Sequence, residues 1–131
     1  MFKKLNKKGF TLAELLIVVA IIGVLVAISI PIFTAQLNKA RCATNQANAR
    51  SAKAAAISEY LMMDEPAAMT YDYDAKTGEK STSAATNSVG SGNLDINAWS
   101  PTSISALGEK VYDKWTISID ADGKIDDIKY S

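Results

Sequence analysis

Phe10 to Ile30 is an apolar run broken by one charge, Glu14, and four lysines (Lys3, Lys4, Lys7 and Lys8) crowd the segment before it. After Glu14 no charged residue occurs until Lys39. About 20 residues of helix measure roughly 30 Å, the thickness of a bilayer's hydrocarbon. Such a segment cannot be buried in a small domain, so it demands a membrane or other helices of its kind. The lysines predict a single span with the N-terminus in the cytoplasm and the C-terminus outside. A charged side chain at the bilayer centre costs roughly 2.5–3.5 kcal/mol, and less near an interface, so Glu14 calls for a partner.

Lys7-Lys8-Gly9-Phe10-Thr11-Leu12-Ala13-Glu14 resembles the N-terminus of type IV prepilins. In that family a short basic leader ends in Gly, and the mature chain begins with Phe, then T-L-x-E and a hydrophobic helix. The resemblance extends over residues 1–50, and nothing beyond Met63 contributes to it. It implies cleavage after Gly9 and N-methylation of Phe10 by a prepilin peptidase, then polymerisation into a type IV pilus filament. The implied partners are other copies of the chain, that peptidase and methyltransferase, and an inner-membrane assembly platform with its ATPase. The implied location is the cell membrane before assembly and an extracellular filament after it. In filaments of this family the helix is loosened between positions matching Gly23 and Pro31. The nearest alternative is a pseudopilin of a type II secretion or DNA-uptake machine. Outside the resemblance stand a receptor or anchored enzyme on a single span, and an ordinary secretory signal cleaved near Ala27-Ile28-Ser29. Glu14 and the Gly9-Phe10 junction oppose the last.

Glu14 has two readings. Thr11-Leu12-Ala13-Glu14 fits a capping box, with Glu14 reaching back to its own helix start. Alternatively Glu14 pairs with the α-amine of Phe10 on an adjacent subunit, which cleavage would leave charged at the same depth. In a low-dielectric layer neither charge finds water cheaply, so the two favour meeting and would set the axial register.

Four segments follow: a leader over 1–9, a hydrophobic helix over 10–30, its amphipathic continuation over 31–63 and a β-rich head over 64–131. Pro31 removes one backbone bond, to the carbonyl of Ala27, and predicts a kink; Gly23 is a second weak point. Beyond it Phe33, Leu37, Ala40, Ala43, Ala47, Ala54, Ile57 and Leu61 recur mostly at helical spacing, and this stripe is expected to carry the head. Pro66 biases Glu65 away from helix, so the helix ends near Met63.

In the head, Met69, Tyr71 and Tyr73 alternate as a strand, as do Trp115, Ile117 and Ile119. Ile125, Ile128 and Tyr130 form a last strand whose parity breaks at Asp126-Asp127, which predicts a bulge. Glu79–Asn93 reads as an exposed loop. Ser100-Pro101 reads as the start of a short helix that Gly108 ends. The fold class is therefore α+β: a long N-terminal α-helix with a small antiparallel sheet packed on its C-terminal half.

The net charge is zero, but its distribution is uneven. Thr34–Met63 is net +3, whereas 64–131 carries six basic and twelve acidic residues. Aromatic residues in acidic surroundings oppose phosphate binding, so no nucleic acid is expected. With no histidine, no nucleophile–base pair and no phosphate-binding glycine loop, neither catalysis nor a cofactor is expected. Asp120, Asp122, Asp126 and Asp127 offer oxygens to a metal such as Ca²⁺. Their spacing is not that of an EF-hand, and an Asp/Gly hairpin turn accounts for them more simply. Cys42 is the only cysteine; the disulfide-closed C-terminal loop of many Gram-negative pilins is therefore absent. It reads as a small packed helix residue, with an intersubunit bridge or a reactive thiol as alternatives.

Overall fold

The computed structural model describes residues 9–131, so the expected leader lies, except for Gly9, outside the described residues. Helix α1, Leu12–Leu61, is the first element. The structure divides at Gln36/Leu37 into two units.

In the first unit every described side chain is exposed. Leu16, Ile17 and Val24 each remain 60% accessible. The helix is long and apolar enough to cross a membrane. It is helical through both Gly23 and Pro31. Ser29 and Thr34 turn their hydroxyls back onto the carbonyls of Leu25 and Ile30, which satisfies these groups without water.

The second unit holds the rest of α1 and a five-stranded antiparallel sheet. Its strands are β1 (Met69–Asp74), β2 (Glu79–Lys80), β3 (Asn87–Ser88), β4 (Lys114–Ile119) and β5 (Ile125–Tyr130), in the order β2-β1-β4-β5-β3. Two 3-10 turns (Ser91–Asn93 and Ile96–Ala98) and the short helix α2 (Ala106–Glu109) lie between β3 and β4. The alternation of Trp115, Ile117 and Ile119 puts all three on the core side of β4. Trp115 stacks on Trp99 with ring centroids 5.8 Å apart, and Tyr112 meets Tyr130 edge-on at 4.7 Å. The bulge falls where β5 breaks parity: Ser118 pairs with Asp127 and Ile119 with Ile125, leaving Asp126 as the extra residue.

The expected face of α1 is corrected. Cys42, Asn45, Ala49, Ala52 and Ala56 are the buried residues, whereas Ala40, Ala43, Ala47 and Ala54 are exposed. Of the anticipated stripe only Ile57 packs partly against the core. At 100° per residue the two sets lie about 180° apart, so this helix has a small-residue stripe on each of two opposite faces. The choice between them is made by amides. Asn45 is fully buried; its Nδ2 donates to the carbonyls of Leu107 (2.8 Å) and Lys110 (2.9 Å), and its Oδ1 accepts from the N–H of Tyr112 (2.9 Å). Gln46 donates to the carbonyls of Ile96 and Trp99, and Asn48 to that of Tyr112. Buried loop carbonyls need donors, and only this face supplies them.

Three further expectations are adjusted. α1 stops at Leu61 rather than Met63, its last turn tightening as Met62 donates to both Ser58 and Glu59. Glu79–Asn93 is not simply an exposed loop: it contributes β2 and β3 to the sheet and buries Ala85 and Val89. Ser100-Pro101 makes a turn, with the Ser103 N–H donating to the Ser100 hydroxyl, and α2 begins only at Ala106. Gly108 lies inside α2 rather than ending it. A Cβ there would stand 3.2 Å from Pro101 Cβ and 3.4 Å from Asn38 Cβ, so glycine permits the close approach to α1.

Because Asn45 satisfies three backbone groups, two in buried bonds and one in a partly buried bond, Asn45→Ala should cost roughly 3 kcal/mol. Denaturant titration followed by Trp99 and Trp115 fluorescence in detergent checks this; a loss below a third of that value would mean that water replaces the amide.

Candidate functional site

The candidate site is the start of α1. Thr11 is its cap, since the N–H of Leu15 donates to the Thr11 carbonyl at 3.1 Å. The Thr11 hydroxyl accepts from the Glu14 N–H (3.2 Å), and Glu14 Oε2 accepts from the Thr11 N–H (3.0 Å). This is a closed capping box: two N–H groups that a helix start leaves without partners are satisfied reciprocally. The carboxylate also sits in the first turn, where the helix dipole favours negative charge. One carboxylate oxygen is spent on the cap. Among the described residues Glu14 Oε1 makes no hydrogen bond. Phe10, immediately before the cap, is 82% exposed. Gly23, on the same helix, has nothing within 4 Å of where a Cβ would stand.

The other candidate positions are elsewhere. Asp120 Oδ1 accepts from the N–H groups of Asp122 and Lys124, closing the β4–β5 hairpin, and Gly123 takes a φ of 87° within it. Asp127 accepts from the Ser88 hydroxyl at 2.6 Å. The hairpin turn thus employs Asp120, and among the described residues no group of three or more acidic, His or Cys side chains is placed to hold a metal. Cys42 is a free thiol, 2% exposed, and burial pushes its pKa up.

Two polar residues that matter to the head escaped sequence reasoning, Asn45 and Thr116, both buried. Asn45 had a signal: three amides within Asn45-Gln46-Ala47-Asn48 are costly in an otherwise alanine-rich helix unless they have buried partners. Thr116 had none, since a threonine in a strand is ordinary.

A membrane-length apolar helix, capped at its start, and a small antiparallel sheet packed on the later part of the same helix define an α+β protein. Comparison with known proteins bears on its N-terminal part. The family described as "Prokaryotic N-terminal methylation motif" matches residues 4–30. The type IV narrow pilus major component PilA5 of Thermus thermophilus is 47% identical over 58 residues. That match covers 44% of this chain and 47% of the relative, so the chain spans about half the length of the curated protein it resembles. No solved structure matches. The chain therefore carries the prepilin-type methylation motif and is similar to a type IV pilin over part of its length.

Only the thiolate reacts with a maleimide, and burial disfavours it. Cys42 should therefore be labelled slowly in the folded protein at pH 8 and fast in denaturant. Rapid labelling of the folded chain would show that the helix–sheet seam opens readily.

Proposed function

We propose that the chain is the precursor of a type IV pilin, cleaved after Gly9, N-methylated at Phe10 and polymerised into a pilus filament. The observation that carries this proposal is a closed Thr11–Glu14 cap at the head of a helix whose apolar first part is exposed, inside a matched methylation motif. A helix segment whose apolar surface is exposed among the described residues is stable in lipid, or among copies of itself when drawn out of lipid. The relative's name, a pilus major component, favours a long filament over the short piston of a pseudopilin.

In this scheme residues 1–9 are the leader, 10–30 span the membrane, 31–63 continue the rod and 64–131 form the head. The precursor waits with its head outside. A peptidase that also methylates removes the leader, and an inner-membrane platform with its ATPase extracts the subunit. Glu14 then has two tasks, which need different oxygens. Oε2 caps its own helix, and Oε1 meets the α-amine of Phe10 on a neighbouring copy, setting the axial register. Gly23 and Pro31 are the points at which the helix loosens as subunits leave the bilayer. The role is structural, with no reaction to catalyse.

Mass spectrometry should find a mature chain beginning at Phe10 with one extra methyl on its amine; an N-terminus at Ser29 or later sinks the proposal. A second comparison separates cap from pairing. Thr11→Ala loses about 1 kcal/mol of local helix stability and should still assemble. Glu14→Ala should keep the precursor in the membrane and abolish most filaments. Equal filament yields from the two variants would leave Glu14 as a cap alone.

A further inference from the structure

β2 and β3 lie at opposite edges of the sheet, so residues 81–86 must cross one of its faces. The core face is filled by Trp115, Ile117 and Ile128. The crossing is on the other face, and the contacts show where. The Ser81 N–H donates to the Asp72 carbonyl (2.7 Å), and the Ala85 N–H donates to the Thr116 hydroxyl (2.8 Å). That hydroxyl in turn donates a hydrogen bond to Asp72 Oδ1 (2.6 Å). Ala85 and Thr116 are buried, while Thr82, Ser83, Ala84 and Thr86 are exposed. At the far end the Ser88 hydroxyl donates to Asp127, and the Val89 N–H to the Ile128 carbonyl. The segment is also short. Four strand spacings of about 4.8 Å make roughly 19 Å, and seven extended residue steps from Lys80 to Asn87 reach only about 23 Å.

We propose that residues 81–86 are a latched strap, with the Thr116 hydroxyl as its latch. Release of this strap, not loss of the core, is then the first opening of the head. Between its ends the strap has one buried fastening, and that hydroxyl is held in accepting orientation because its proton is committed to Asp72. The short length makes the latch matter. β2 covers the outer edge of β1 at Tyr73 and Asp74, and β3 that of β5 at Lys129 and Tyr130, each ladder extended by a single bond, from Ser81 to Asp72 and from Val89 to Ile128. Two-residue strands hold weakly, and the strap ties them to each other across the sheet. When it lifts, both go with it, and β1 and β5 are left with open edges.

Hydrogen exchange read by mass spectrometry on the full chain in detergent tests it. Thr116→Val keeps the volume and removes both hydrogen bonds. It should speed exchange of amides 81–89 about tenfold, leave 115–119 at the wild-type rate and admit cleavage by proteinase K between residues 81 and 86. Thr116→Ser restores the hydroxyl and should return wild-type protection. Inserting two glycines between Ser83 and Ala84 slackens the strap without touching the sheet and should give the same local exposure. This second arm keeps the test valid if Thr116→Val loses the near-ultraviolet signal of the Trp99–Trp115 pair. Wild-type exchange over 81–89 in both the valine and the insertion variants overturns the proposal. So does an equal rise over 115–119 in the insertion variant, which would show that the head opens as one piece.

Discussion

Trp115 and Ile117 on the central strand have to be covered, and the rest of the head depends on what covers them. A sheet of five strands, two of them only two residues long, cannot close on itself. α1 supplies the second layer with Ala49, Ala52 and Ala56, all fully buried. Alanine contributes little apolar area, but it lets a helix come close to a sheet, and close packing recovers dispersion that bulk would otherwise supply. The larger side chains come from the segment between β3 and β4, where Trp99, Ile104 and Leu107 fill the remaining space. That segment has little regular structure, so its carbonyls need partners. Asn45, Gln46 and Asn48 reach out of α1 to provide them. Packing and polar satisfaction thus select the same helix face.

The first unit obeys a different physics. Its described side chains are all exposed, and its order is that of the helix ladder, its cap and the hydroxyls of Ser29 and Thr34 turned onto that ladder. In water such a surface would aggregate, so its stability is a property of its surroundings. Lipid would offer no water to such a helix start, where each unsatisfied N–H costs several kcal/mol, and the closed Thr11–Glu14 box satisfies two of these groups within the chain. A carboxylate that caps its own helix is also a carboxylate held in a defined orientation.

The outer face of the sheet is polar yet organised. Lys114 donates to Asp74 at 2.6 Å, and this bond, with the N–H of Lys76, holds the Asp74 carboxyl below the usual carboxylate range. Next along the same face, Asp72, Thr116 and Ala85 form the fastening described above. Trp115 and Thr116, neighbours in sequence, therefore serve opposite layers: one anchors the hydrophobic core and the other the polar cover. Alternation along a strand makes this division automatic.

Local chemistry alone determined much of this protein. An apolar run of this length with one carboxylate admits few structures, and the resemblance to prepilins rests on residues within one short stretch. The alternation of Trp115, Ile117 and Ile119 and the parity break at Asp126-Asp127 placed β4, β5 and the bulge, because a strand's period of two is written in its own side chains. Two outcomes were not written in the periodicity. Small residues line both faces of α1 beyond Pro31, so periodicity pointed to the exposed stripe; only the hydrogen-bonding needs of residues 96–112, distant in sequence, settled which face is buried. Ser81 to Thr86 is polar and reads as loop, yet the strand order β2-β1-β4-β5-β3 forces it across the sheet and buries Ala85 on Thr116. Burial of that kind is imposed by where a segment's ends are held, and the ends are placed by the tertiary fold.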